Sequence, residues 1–194
     1  MRHLFSILFA GFVLTTPIVS HAQSMTDYPN RPIRLVVGFA PGGATDTLAR
    51  LVTGALGQEL GQTIYVENIA GASGYIAWRN VASSAPDGYT LLLAENAIAI
   101  RPGFKDMTPT FDPATELDAV ASVAHSPLAL CVADAIPVSS VKELIAYSHS
   151  GKTLNYASAG TGSVAQLVWE VVKDGAKIDA LSVPYRGGGP AMAA

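Results

Sequence analysis

A rhythm of short apolar runs and helically spaced stretches begins at residue 33. Residues 33–39 are an apolar run with β-branched members, closed by Ala40-Pro41-Gly42. That pattern predicts a buried parallel strand. Apolar residues then recur at 48, 51, 52, 55, 56 and 60, so residues 45–60 predict a helix, stopped by Gly61. Residues 63–67 predict a second strand and residues 89–94 a third. Between them, residues 74–84 predict a helix that closes near the turn Pro86-Asp87-Gly88. Strand-helix-strand-helix-strand over residues 33–94 implies parallel strands joined by right-handed crossovers.

The rhythm pauses over residues 95–118, an irregular stretch holding Pro102, Pro109 and Pro113. Residues 119–132 are strand-like, broken at Ser126-Pro127, and read as a crossover between two lobes. Ser140-Val-Lys-Glu143 has the spacing of a capping box and opens a helix to about residue 148. Residues 153–157 predict a strand, 163–173 a helix with Gly175 as its stop, and 178–184 another strand. Gly187-Gly-Gly-Pro190 then opens a new element, and the sequence ends at Ala194. The fold class is α/β with two parallel-sheet lobes, the first over 23–124 and the second over 125–194. The second reads as incomplete, and a chain short of it is expected to be marginal and prone to association.

The first residues bear on compartment. A basic start at Arg2 precedes the apolar run 4–14, then Pro17 and Ser20-His21-Ala22. This is the layout of a secretory signal peptide over residues 1–22, cleaved after Ala22. The run is short for a membrane span, which needs roughly 20 apolar residues. Removing the segment takes Arg2 with it and moves the net charge from −3 to −4. A mildly acidic chain makes no case for nucleic acid as a partner, so an anionic ligand must be held by local groups. Cys131 is the only cysteine, which excludes an internal disulfide and a cysteine-based metal site. Its apolar neighbours predict a buried thiol.

Three Gly-rich loops fall between a strand end and a helix start. They are Phe39-Ala-Pro-Gly-Gly-Ala-Thr-Asp46, Glu67-Asn-Ile-Ala-Gly-Ala-Ser-Gly74 and Tyr156-Ala-Ser-Ala-Gly-Thr-Gly-Ser163. In open α/β sheets ligands bind outside the carboxyl ends of the strands. Helix N-termini there offer unpaired N–H groups to a carboxylate without any lysine or arginine. Each loop taken alone reads first as ordinary turn chemistry, and it is three of them on the expected edge that bring binding level with that reading. Thr45 reads as a simple N-cap and Asp46 as a first-turn acid favoured by the helix dipole.

Sharper motifs are missing. The sequence has no Gly-x-x-x-x-Gly-Lys-[Ser/Thr], no Gly-x-Gly-x-x-Gly after a strand and no Gly-x-Ser-x-Gly elbow. Beyond the first 22 residues the histidines are His125 and His149, too far apart for metal-ligand spacing. His125 reads as a packed or capping residue at the crossover, His149 as a solvated helix end. No catalytic residue, metal or cofactor is implied. Glu67 reads as a structural hydrogen-bonding acid. Glu95, directly after the third strand, is placed to favour a ligand bearing an amine or hydroxyl. Trp78 and Trp169 sit at apolar helical spacing and read as core.

A longer set of motifs resembles one family. The pieces are Tyr28-Pro-x-Arg-Pro-Ile-Arg34, Phe39-x-Pro-Gly-Gly-x-Thr-Asp46 with Ala49-Arg50, and Val66-Glu-Asn68 with Gly71-Ala-x-Gly74. Next come Pro86-Asp-Gly-Tyr-Thr-Leu-Leu92, Leu154-Asn-Tyr-Ala-Ser158 with Gly160-x-Gly-Ser163, and Val183-Pro-Tyr185 with Gly187-Gly188. In this order the chain resembles the Bug-type solute receptors, the extracytoplasmic substrate-binding proteins of tripartite tricarboxylate transporters. The resemblance implies a periplasmic binding protein-like, Venus-flytrap fold and a small carboxylate ligand, such as a di- or tricarboxylate, an acidic amino acid or an aromatic acid. It implies membrane permease subunits as partners, a periplasmic location and a monomer at full length. By position it assigns ligand contacts to Pro41, Gly42, Gly43, Ala44, Thr45 and Asp46 in the first loop and to Ala72 and Ser73 in the second. From the other lobe it assigns Ser158, Ala159, Gly160, Thr161 and Ser163, and it points Asp46 toward a ligand hydroxyl or amine. The chain departs from the family at Ile69-Ala70, at Glu95-Asn96 and in where it ends. Two other readings are a truncated, non-functional remnant of such a receptor and a small α/β enzyme, which lacks a nucleophile–base pair.

Overall fold

The computed structural model describes residues 28–103 and 111–194. The expected signal peptide, residues 1–22, lies outside the described residues. The first half lays down β1 (Ile33–Val37), α1 (Ala44–Leu60), β2 (Ile64–Asn68), α2 (Tyr75–Ala82) and β3 (Thr90–Leu93). All three strands are parallel, in the order β2-β1-β3. β1 is central: Leu35 lies against Val66 on one side and Leu91 on the other. A strand with neighbours on both sides and helices on both faces is largely apolar: Ile33, Leu35, Val36 and Val37 are buried, and the one charged member, Arg34, is half-buried and paired with Glu67 and Asn80.

Successive side chains of β1 serve opposite faces. Leu35 and Val37 join Phe39 and Ala49 of α1. Val36 joins Ala77, Trp78 and Val81 of α2, with Ala97 and Phe111. Trp78 is 1 % exposed and anchors this cluster, as its helical spacing predicts. α1 ends at Gly61, which takes the left-handed conformation at φ 62°.

Beyond β3 the described residues form short turns of helix, α3 (Ala97–Ile100), a 3₁₀ turn (Arg101–Gly103) and α4 (Pro113–Glu116). The strand-like stretch 119–132 forms no ladder among the described residues. Its residues 119–131 are exposed, including Val120, Leu128 and Leu130. Side chains that favour extended backbone are present, but a ladder needs a second strand to supply hydrogen bonds. Two expectations fall with it: Cys131 is exposed, not buried, and His125 is exposed, not packed.

The second half contains α5 (Val141–Ser148), β4 (Leu154–Ser158), α6 (Val164–Ala176), β5 (Ala180–Pro184) and α7 (Gly188–Ala193). β4 and β5 pair in parallel, with Tyr156 opposite Ser182. Leu144, Leu154, Trp169, Ile178 and Ala180 form their core, and Trp169 is buried as expected. Ser140 caps α5 by accepting from the Glu143 amide at 3.2 Å, while the Glu143 carboxylate reaches back one residue further, to the Ser139 amide at 2.7 Å. His149 stands at the C-cap of α5, where a ring nitrogen lies 3.0 Å from the Lys177 carbonyl. α6 runs through Gly175, and its left-handed stop is Lys177 at φ 54°. Glycine is tolerated inside a helix at modest cost, so its presence alone does not fix the end.

Candidate functional site

Five loops leave the carboxyl ends of the five strands, and loops from the two sheets touch. The Ala40 amide donates to the Arg186 carbonyl at 2.9 Å. The Ser73 hydroxyl donates to the Thr161 carbonyl at 2.6 Å. Ala159 packs against the Phe39 cluster and Val164 against the Trp78 cluster. These contacts make one junction out of the three loops singled out in the sequence.

The first loop is held by Asp46. Its carboxylate accepts from the Gly42 amide at 3.0 Å, from Arg50 at 2.9 and 3.1 Å and from the Asn68 side-chain nitrogen at 2.9 Å. Asn68 also donates to the Phe39 carbonyl at 3.0 Å. Asp46 is 4 % exposed, and its hydrogen bonds with Arg50 bring its pKa down to about 2. Both oxygens are thus taken up by the chain's own donors, which fixes the curve of Pro41, Gly42 and Gly43 over the start of α1. Glu67, at the end of β2, pairs with Arg34 at 3.1 Å, the structural role expected of it.

Thr45 is not the N-cap of α1. Gly43 occupies that position, Ala44 begins the helix, and no side chain caps it. The Thr45 hydroxyl instead donates to the Glu95 carboxyl, beyond the end of β3. This contact joins the loops after β1 and β3. In the order β2-β1-β3 these are the two strands whose connections leave in opposite directions, so the crevice between them is the topological switch point. Burial pushes the Glu95 carboxyl above its ordinary range, against the opposing effect of the Thr45 hydrogen bond.

The second loop is unusually wound. Gly71, Ala72, Ser73 and Gly74 all have positive φ, with Ala72 at 47° and Ser73 at 54°. Non-glycine residues seldom adopt this conformation, and it persists where surrounding contacts over-determine it. Here those contacts are Arg101, which donates to the Ala72 carbonyl at 2.7 Å, and the Ser73–Thr161 hydrogen bond.

On the other side, Gly160 has φ 128°, and a Cβ there would stand 2.7 Å from the Ser73 hydroxyl. Ser163 caps α6, accepting from the Gln166 amide at 3.3 Å, while the Gln166 side chain accepts from the Gly162 amide at 2.6 Å. This is a capping box shifted by one residue, as at Ser140 and Glu143, and it is legible in Ser163-Val-Ala-Gln166. Ser158 and Ser163 are buried, and the Ser158 hydroxyl has no partner among the described residues.

One loop of the junction went unassigned in the sequence. The turn after β5 brings Gly189 so close to the first loop that a Cβ would meet the Pro41 carbonyl at 2.9 Å. The signal was the run Gly187-Gly-Gly-Pro190, whose missing side chains permit this approach. Among the described residues no group of three His, Cys, Asp or Glu side chains is placed to hold a metal ion, and no helix is long and apolar enough to cross a membrane.

The profile of the tripartite tricarboxylate transporter family receptor matches residues 48–194. The chain belongs to this receptor family. Protein BugT of Bordetella pertussis is 34% identical over 196 residues, which cover 99% of this chain and 59% of that protein. The solved structure of R. palustris Rpa4515 with adipate superposes with a TM-score of 0.82 at 36% identity, covering 86% of this chain and 56% of that one. MatC from Rhodopseudomonas palustris, with bound malate, gives 0.76 at 35% identity, with 86% and 57% covered. The fold is therefore periplasmic binding protein-like, and its family is one of receptors, not of enzymes. The chain spans a little over half the length of the relatives it matches.

Proposed function

We propose that this chain is the ligand-holding part of a periplasmic receptor that captures a small carboxylate and delivers it to the membrane subunits of a tripartite transporter. The observation that carries the reading is the bare N-terminus of α1. A helix of 17 residues enters the junction between the two sheets with glycine at its N-cap and no side chain on its first amides. Such an end offers N–H groups and a positive dipole to an anion. A net charge of −3 gives no general attraction for anions, so this local group has to do the holding.

Around that end the ligand contacts are Pro41, Gly42, Gly43, Ala44 and Thr45, with Ala72 and Ser73 beside them. Ser158, Ala159, Gly160, Thr161 and Ser163 face them from the second lobe. Asp46 acts as the brace of the first loop. The lobes divide as 23–124 and 125–194, and closure between them excludes water from the bound acid. Adipate in Rpa4515 and malate in MatC support a carboxylate as the ligand class. Export through a cleaved signal peptide over residues 1–22 brings the receptor to where such an acid is met.

Isothermal titration of the chain with malate, succinate and adipate tests the reading. One-to-one binding of one of them, with a Kd of about 1 mM or tighter, is expected. Heat of dilution alone for all three, and for a monocarboxylate, an acidic amino acid and an aromatic acid, would refute it.

A further inference from the structure

Among the described residues the acid at the switch point makes no salt bridge, and the Thr45 hydroxyl, not a cation, is what favours its charged form. Glu95 is half-buried, and its partner there is the neutral Thr45 hydroxyl. Nearby arginines are committed elsewhere. Arg50 holds Asp46, Arg34 holds Glu67 and Asn80, and Arg101 holds the Ala72 carbonyl while stacking 4.3 Å over Tyr75. Arg31 pairs with Asp87, and Arg79 lies in the last turn of α2, away from the strand ends. No lysine occurs between Tyr28 and Gly103. A carboxylate drawn out of water without a counter-charge is costly, and the chain keeps one beside its anion-accepting helix end.

The geometry points to Glu95 as the residue that selects ligands carrying an ammonium group next to their carboxylate, the head group of an α-amino acid. Thr45 is the second residue of α1, so Glu95 stands one hydrogen bond from the first turn of that helix. A carboxylate seated on the α1 amides therefore has Glu95 within reach of a substituent on the adjacent carbon. A hydroxyl there would duplicate the neutral donor that Thr45 already supplies. An ammonium supplies the missing charge, and its hydrogen bond to a carboxylate is of the stronger, charge-assisted kind. The upward pull of burial on the Glu95 carboxyl fits a group waiting for such a partner. The inference rests on the carboxylate-binding reading above and narrows it.

The test is calorimetric titration of the chain with matched acids: aspartate and succinate, glutamate and glutarate, alanine and propionate, 2-aminoadipate and adipate. In the pair of the right length, the aminated acid is expected to bind about tenfold tighter. Glu95→Gln should bring that ratio to within about twofold, since it removes the charge and keeps the shape. If acids bind but the amine-free member is equal or tighter in every pair, the Glu95 assignment falls and carboxylate binding stands. A ratio unchanged in a Glu95→Gln protein that melts cooperatively has the same effect. Should that variant not fold, the wild-type ratios alone decide. Should no acid bind, the carboxylate reading fails and takes the assignment with it.

Discussion

The Ser73 hydroxyl and the Thr161 carbonyl, 88 residues apart in sequence, meet at 2.6 Å across the junction of the two sheets. Ser73 makes this bond from a left-handed backbone conformation, and Gly160 leaves the space in which its hydroxyl lies. The contact ties the second loop of one lobe to the first loop of the other.

Ser73→Ala is expected to lower stability by about 1 kcal/mol, the worth of one such hydrogen bond. Gly160→Ala should cost more than about 1 kcal/mol, because φ 128° is strained for alanine and its methyl collides with the Ser73 oxygen. In a Ser73→Gly background that collision disappears. The Gly160→Ala cost should then shrink by at least about 0.5 kcal/mol, as urea unfolding of the double-mutant cycle would show. Strict additivity would mean that the two loops do not touch in solution.

Asp46 makes stability depend on acid. Its folded pKa of about 2 lies below the ordinary value of 3.8, so its contribution is complete above about pH 4. The contribution is lost as pH falls from there through 2. Asp46→Asn is expected to be less stable than wild type at pH 6 by about 2 kcal/mol and to approach it at about pH 2–3. Urea midpoints for both proteins across this range check the point. A gap that stays constant with pH would show that the charge of Asp46 does not matter.

Trp78→Ala should cost about 3–5 kcal/mol, since the indole is 1 % exposed and fills the space between β1, α2 and Phe111. Loss of cooperative melting near room temperature would be consistent with this, and a shift of a degree or two would contradict it.

The sequence and the fold agree most closely where the signal is local. The order β1-α1-β2-α2-β3 follows from apolar runs and helical spacing that each segment carries by itself. So do α5, β4, α6 and β5, with ends displaced by a few residues at most. Where the outcome depends on distant partners, sequence reasoning fell short. Residues 119–132 have strand-forming side chains but meet no strand among the described residues, and Cys131 is exposed with them. Thr45 has the chemistry of a cap, yet its hydroxyl is drawn to Glu95, 50 residues away. The run at Gly187 gave no hint of its neighbour, because a glycine states only that something comes close, not what.

The pairing of the strands also bears on how the chain reaches its fold. Among the described residues β1, β2 and β3 pair within residues 33–93, and β4 and β5 pair within residues 154–184. Neither sheet borrows a strand from the other half among the described residues. The strand ladders therefore stay within each half, the longest being β1 with β3 across two strand-helix units, while the Ala40–Arg186 and Ser73–Thr161 contacts of the junction carry the long separations. Strand pairing in the earlier half therefore needs no strand of the later one, although Ala159 and Val164 of the later half pack on its clusters. The junction is different in kind: its Ala40–Arg186 and Ser73–Thr161 hydrogen bonds each need a residue from both halves, so its geometry exists only when the two are assembled.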